Sequence, residues 1–397
     1  MKLAHFLLPA MATAALLACS QGSKALTVTV SNELDTPRTG ETVELPADSI
    51  LHLLGSPYCL VTTADGKEIP SQITYDGKLI FNADVEAVST ATYNILAADT
   101  MPLYTATVSG DIRPERADDI SWENEKVGFR VYGPATQARG EKAFGYDIFF
   151  KHPTSELILD SLYAAQTSSA NWAKVDSLRK IDPKLASDFE KSFTYHLDHG
   201  LGMDCYAVGP TLGDGVAVLM EGDSLCFAWC YDKVKILDNG PIRFSVSLDF
   251  APRVVGSDSA VVEHRVITLD SGSHLNEAKV WYDGLSSPRK VAAGFPRRDD
   301  TPAVLNAPEG IIAYSDPTQG PDNGRALLGV VIPEGADSAF EGQGHILATT
   351  VLEPSDTLQY NWGFAWSRTD IDTVDKWVQY LEQFAKAKRS PLKVSVQ

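Results

Sequence analysis

A chain of 397 residues with 52 acidic against 34 basic side chains carries a formal net charge of −18, and 44% of its residues are hydrophobic. That length suggests roughly two or three domains and a sizeable core. The acidity leaves no basic stripe to neutralise phosphates, which excludes a nucleic-acid partner, whereas an anionic small substrate needs only one or two local cations.

The chain opens with Lys2, His5 and an apolar run through Ala18, followed by Cys19. The run is too short to span a bilayer permanently and has the form of a secretory signal over residues 1–18. Leu16-Leu17-Ala18-Cys19 resembles a bacterial lipobox. Cleavage there leaves Cys19 as a lipidated first residue, so the expected membrane partner is reached through acyl chains at Cys19. Residues 19–24 are a short polar linker without an acidic cluster, which points to an outer-membrane anchor facing the periplasm. The other cysteines are Cys59, Cys205, Cys226 and Cys230. If extended, the step from Cys226 to Cys230 spans about 13 Å, beyond disulfide reach. Free thiols are expected, with one long-range bridge still open in an oxidising compartment.

Residues 25–110 alternate in short runs, such as Leu26-Thr27-Val28-Thr29-Val30, broken by turns at Asp65-Gly66 and Asp76-Gly77. This pattern reads as a small β-sandwich scaffold. Residues 111–397 form the second domain. In its first strand Val127, Phe129 and Val131 point one way and Arg130 and Tyr132 the other; Asp147, Phe149 and Lys151 share a face on the next. Residues 161–193 read as an insertion of two short helices interrupted by Pro183.

Residues 195–213 then alternate again. His196, Asp198, Gly200, Gly202, Asp204 and Tyr206 fall on one side, opposite Tyr195, Leu197, His199, Leu201, Met203 and Cys205. As a strand, this stretch sets two carboxylates, an imidazole and a phenol on one face with bare backbone between them. It equally fits a solvated hairpin with a turn near Gly200. Strands continue through Ile242-Arg243-Phe244-Ser245-Val246 and on to Tyr360, Trp362, Phe364 and Trp366. The final segment, from about Asp372, carries Val374, Trp377, Val378, Leu381, Phe384 and Ala385 at helical spacing, an apolar docking stripe. The fold class is mainly β: a small sandwich, then a large antiparallel two-sheet sandwich with a concave polar face and a C-terminal helix. Carbohydrate-active proteins favour that shape, though fold analogy alone does not assign activity.

Three segments carry a closer likeness. They are Trp122-Glu123-Asn124-Glu125 with Phe129-Arg130-Val131-Tyr132-Gly133-Pro134, then Gly145-Tyr146-Asp147 with Lys151, and the Tyr195 to Gly213 stretch; Asn239-Gly240-Pro241-Ile242-Arg243 is a weaker fourth. They resemble a family of Bacteroidetes lipoproteins long labelled as a domain of unknown function. That family occurs with polysaccharide-degradation systems and is associated with an oligosaccharide dehydratase activity on ulvan-type fragments. The resemblance implies a galactose-mutarotase-like supersandwich and β-elimination on an acidic oligosaccharide.

Such chemistry needs a cation for the uronate carboxylate, a base for the C5 proton and an acid for the departing C4 hydroxyl. Arg130 suits the carboxylate, His196 the base, and Tyr206 or Tyr132 the acid. Asp198 and Asp204 would orient His196 or bind hydroxyls. Asp147, Lys151, Arg243 and Trp366 complete the expected substrate contacts. Each has a plainer role: Arg130 as an ion pair with Asp147 or Glu123, the tyrosines and tryptophans as packing, His199 as structural. His196, Asp198 and Asp204 could chelate a metal, but no cofactor is expected. The competing functions are a non-catalytic glycan-binding lipoprotein, relying on Trp362 and Trp366, and a mutarotase or true lyase.

Overall fold

The computed structural model describes residues 24–153 and 156–397. Cys19 and the signal segment lie outside the described residues. The chain is mainly β, in antiparallel sheets.

Two sheets form the N-terminal module. One joins Ala25–Asn32, Ser89–Ala98, Tyr58–Thr63 and Glu68–Ile69; the other joins Arg38–Pro46, Lys78–Val85 and Ser71–Ile73. Val28, Val30, Val43, Phe81 and Ile95 are fully buried between them, in a core separate from that of the rest of the chain. A helix, Ala47–Leu54, which the alternation did not signal, ends on Gly55 at φ 66°, the left-handed conformation that glycine adopts without penalty. The division at residues 110 and 111 is crossed at the far end of the chain. Lys393–Val396 leaves the terminal helix and pairs with Ala25–Asn32, Val28 facing Val396, so the last strand completes the first module's sheet.

The larger domain is a sandwich. One layer is a nine-stranded sheet whose centre is Asp258–Asp270, Leu275–Asp283, Thr357–Trp366 and Arg325–Val331. The other consists of two five-stranded sheets, one built on Asp119–Asn124, Gly128–Val131 and Asp147–Lys151, the other on Ala217–Glu221, Arg289–Pro296 and His345–Leu352. A bridge between Tyr146 and Gly213 links the two halves. A single core fills the space between layers: Trp122 stacks on Phe244 at 5.9 Å and meets Trp362 edge-on at 6.4 Å.

The helix Val374–Arg389 is capped by Thr373 and buries Trp377, Leu381 and Ala385 on the outer face of the nine-stranded sheet, against Ile311, Leu327 and Val331. A Cβ on Gly329 would come within 2.8 Å of Leu381 and 2.9 Å of Trp377, so a larger residue there would push those helix side chains aside. The insertion holds three helices rather than two, Leu159–Thr167, Ser169–Arg179 and Pro183–Lys191. Pro183 starts the third rather than breaking the second, since it occupies the first turn behind the Asp182 cap, where a missing amide hydrogen costs nothing.

The extended reading of residues 195–213 fails. Only Gly202–Met203 is strand; the remainder is turns and irregular backbone. Gly200, Gly202, Gly209 and Gly213 have φ of 97°, 144°, 58° and 56°, conformations that glycine adopts without penalty and that break the regular alternation.

Candidate active site

Arg130 and Asp147 are direct cross-strand partners, and both face away from the main core toward the helical insertion. Asp147 Oδ2 accepts from Arg130 Nε at 2.8 Å, again from Arg130 Nη2, and from the Tyr132 hydroxyl at 2.6 Å. Arg130 Nη2 also donates to Asp204 Oδ2 at 3.0 Å, and Nη1 to the Tyr195 hydroxyl at 3.4 Å. Arg116 Nε reaches the same Tyr195 oxygen at 3.3 Å and its Nη1 lies 3.7 Å from Asp119. The Arg130 guanidinium lies 5.0 Å from the Phe149 ring centroid and 5.1 Å from that of Tyr132. Burial opposes the charge on Arg130, yet Asp147 and Asp204 hold it firmly protonated.

The carboxylates are unequal. Burial pushes Asp119 up to about 6 against the pull of Arg130, Arg116 and the Gly133 backbone amide. Burial also raises Asp204, with Arg130 working the other way. Tyr132 is raised well above its ordinary value by burial, so it stays protonated and donates to Asp147.

His196 is the exposed member of this group, its side chain 54% exposed. Its ring packs edge-on against Tyr195 at 4.7 Å, and Nδ1 donates to the Asp204 carbonyl at 3.1 Å. A carbonyl can only accept, so the proton sits on Nδ1 and Nε2 is the basic nitrogen. Asp204 thus touches both His196 and Arg130, which unites the two segments.

Other expected residues go elsewhere. Asp198 turns to His152 Nε2 at 2.7 Å and lies 3.8 Å from Arg368, so His196, Asp198 and Asp204 do not assemble a chelate. No group of three or more metal-binding side chains converges among the described residues. Trp366 is 2% exposed, donates to the Asn323 carbonyl, and is flanked by His152 and Arg368. Lys151 is buried on Glu123 and the Asn124 carbonyl. Arg243 is bidentate to Asp270 and donates to Glu44, joining the two modules rather than lining the site.

Tyr206 belongs to another buried group. The Arg298 guanidinium covers its ring at 4.6 Å and pairs with Asp316. Burial lifts Asp316 to about 7, and lifts Asp214 well above the carboxylate range with Asp316 adding to it. The Tyr206 hydroxyl interacts with Arg298 and Asp316, whereas both Asp214 oxygens lack hydrogen-bond partners. Cys59, Cys205, Cys226 and Cys230 are all free.

Residues 30–394 match a family described as Domain of unknown function (DUF4861). The chain belongs to that family. It is 27% identical over 399 residues to Uncharacterized protein P7 of Formosa agariphila, a match covering 95% of each chain. Among solved structures it resembles a protein in the glycosyl hydrolase family 38 from Enterococcus faecalis, with a TM-score of 0.51 and 10% identity. That match takes in 94% of this chain and 47% of the other, so the chain spans about half the length of that protein. The likeness is one of fold, shared with a carbohydrate-related protein.

Sequence reasoning missed Asp119, Arg116, Tyr195 as a polar group, and Arg298 with Asp214 and Asp316. Asp119 lies in the strand next to Arg130 and could have been found by pairing the two strands. The Arg298 group draws on distant segments and leaves no local pattern.

Proposed function

We propose that the chain is a carbohydrate-active enzyme of polysaccharide breakdown, an oligosaccharide dehydratase acting by β-elimination on uronic-acid-containing fragments of the ulvan type. In this reading it is a lipoprotein anchored through Cys19 in an outer membrane and facing the periplasm. Family membership and the sandwich fold support a carbohydrate role. The observation that carries the chemistry is the half-exposed His196, whose tautomer the Asp204 carbonyl fixes with Nε2 basic.

The roles differ from those the sequence suggested. Arg130 is 3% exposed and already saturated by Asp147, Asp204 and Tyr195, so it positions the site rather than grasping substrate. Arg116, with its side chain 29% exposed beside Tyr195, receives the uronate carboxylate and stabilises the charge that develops there. His196 Nε2 takes the C5 proton as the C5–H bond breaks, and the electron pair forms the C4–C5 double bond. The C4–O bond breaks as that double bond forms, and the departing hydroxyl takes a proton to leave as water. Tyr195, 1% exposed, accepts from Arg116 and Arg130 and holds the two guanidiniums in place, so the proton is the one His196 took from C5, returned by its imidazolium to the departing oxygen.

The glycan-binder alternative relied on Trp362 and Trp366, but these are 0% and 2% exposed and hold the core. The test is ultraviolet absorbance of a conjugated unsaturated uronate after incubation with acidic oligosaccharides. Appearance of absorbance with wild type and its absence with His196→Ala supports the reading. No absorbance from wild type on any uronate oligomer, or full activity of His196→Ala, overturns it.

A further inference from the structure

A cleft of about 660 Å³ lies between the N-terminal module, the outer face of the nine-stranded sheet and the terminal helix. It belongs to the layer opposite the one that carries Arg130, and the elimination chemistry does not use it. Its volume lies within the range of about 300–1,000 Å³ typical of small-molecule sites.

The cleft is held open by polar clamps. On one side Asp270 accepts from Arg243 and, at 2.7 Å, from the Thr42 hydroxyl of the N-terminal module. On the other, Lys388 of the terminal helix donates to Glu277 of the sheet at 2.9 Å. A gap closed by apolar contact would collapse; these ion pairs set a fixed spacing across it.

The lining chemistry narrows the ligand. Thr268 sets its hydroxyl on the floor, 3.2 Å from that of fully buried Ser245 on the neighbouring strand. Asn361, also on the floor and 2% exposed, gives its amide hydrogen to the Asn276 carbonyl, and its Oδ1 has no hydrogen-bond partner. A buried acceptor left unsatisfied costs about 1–3 kcal/mol, which a ligand hydroxyl would recover. In a chain of net charge −18, the cleft's lining is balanced, five cationic against five acidic side chains. That balance disfavours an anion. Tyr75, 51% exposed, and Phe384 add aromatic rings to the lining, and aromatic faces pack on the C–H faces of sugar rings.

We propose that this cleft binds a neutral oligosaccharide, hydrogen-bonded by the amide and hydroxyls of the floor and held against Tyr75. It is a holding site for uncharged stretches of a glycan, separate from the centre where an acidic residue reacts.

The test is calorimetric titration of the mature chain with neutral xylo-, manno-, cello- and galacto-oligosaccharides, with oligogalacturonate as the charged comparison. At least one neutral oligosaccharide binds wild type, and Tyr75→Ala and Thr268→Val each weaken it by about tenfold or more, a loss of about 1.4 kcal/mol. Tyr75 is exposed and Thr268→Val is nearly isosteric, so unfolding does not confuse the result, and circular dichroism checks it. The proposal is overturned if no neutral oligosaccharide binds, if both variants bind like wild type, or if oligogalacturonate competes for the same site. Binding is read without turnover, so its failure is distinct from failure of the elimination chemistry.

Discussion

Replacing Arg130 with methionine removes the guanidinium on which Asp147, Asp204, Tyr132 and Tyr195 converge. Methionine is apolar and flexible enough to occupy the space, so the loss reports on charge. Breaking a buried ion pair from one side costs about 3–5 kcal/mol, because the remaining charge is left uncompensated. In a chain this long, each kcal/mol moves the melting temperature by roughly 2 °C, so a fall of about 6–10 °C is expected near pH 8. The cost shrinks on acidification. Burial raises Asp204 and Arg130 works against that, so without Arg130 the Asp204 carboxylate binds a proton more tightly folded than unfolded and stability rises as pH falls, by about 1.4 kcal/mol per unit for each extra proton held. Urea denaturation of wild type and Arg130→Met at about pH 8 and about pH 5 measures both quantities. A substrate-grasping surface arginine would behave otherwise. A loss below about 1 kcal/mol, or an equal loss at both pH values, refutes the buried-pivot account.

Four further outcomes are expected. His196→Ala lowers elimination by about 10²–10⁴-fold with an unchanged melting temperature, since the side chain is 54% exposed; kinetics and melting on the same sample decide it. Asp316, raised by burial to about 7, holds its proton more tightly folded than unfolded, so its contribution is lost as pH rises from about 4 to 7, by up to about 4 kcal/mol; Asp316→Asn should flatten that slope in denaturation curves. Arg243→Met loses both bonds to Asp270 and the contact with Glu44 and should speed limited proteolysis between the modules; unchanged cleavage argues against the clamp. A fatty-acid probe should label wild type and not Cys19→Ala, and equal labelling of both removes the lipid anchor.

Strands were legible where the alternation was regular and the backbone stayed extended. Arg243–Asp249 follows its expected pattern, with Phe244, Val246 and Leu248 fully buried. The stripe Trp377, Leu381 and Ala385 marked the terminal helix for the same reason. Residues 195–213 alternate equally well in sequence but not in space, because the positive φ values of four glycines decide the backbone. The error split the expected site. Asp204 and His196 still meet, through a turn rather than a shared strand face, while Asp198 pairs with His152 and Tyr206 with Arg298. Tyr195, counted on the apolar side, bends its hydroxyl to Arg130. A period-two count carries no information once the chain leaves the sheet.

The burial of Arg130 has a counterpart inside the sandwich. Glu263 is fully buried between Arg265 and Arg253, and despite burial those two arginines hold its carboxyl below the ordinary range. In both places the arginine answers a carboxylate of the same domain, and the interior is rigid because each partner is costly to strand. The two groups differ at one point: the Arg130 group ends in His196, whose basic nitrogen is left available, whereas Glu263, Arg265 and Arg253 present no comparable base. A fixed, charged interior gives a catalyst its precision only where one group is left able to exchange a proton. In the proposed elimination, that asymmetry assigns the proton transfer to His196 rather than to the buried charges behind it.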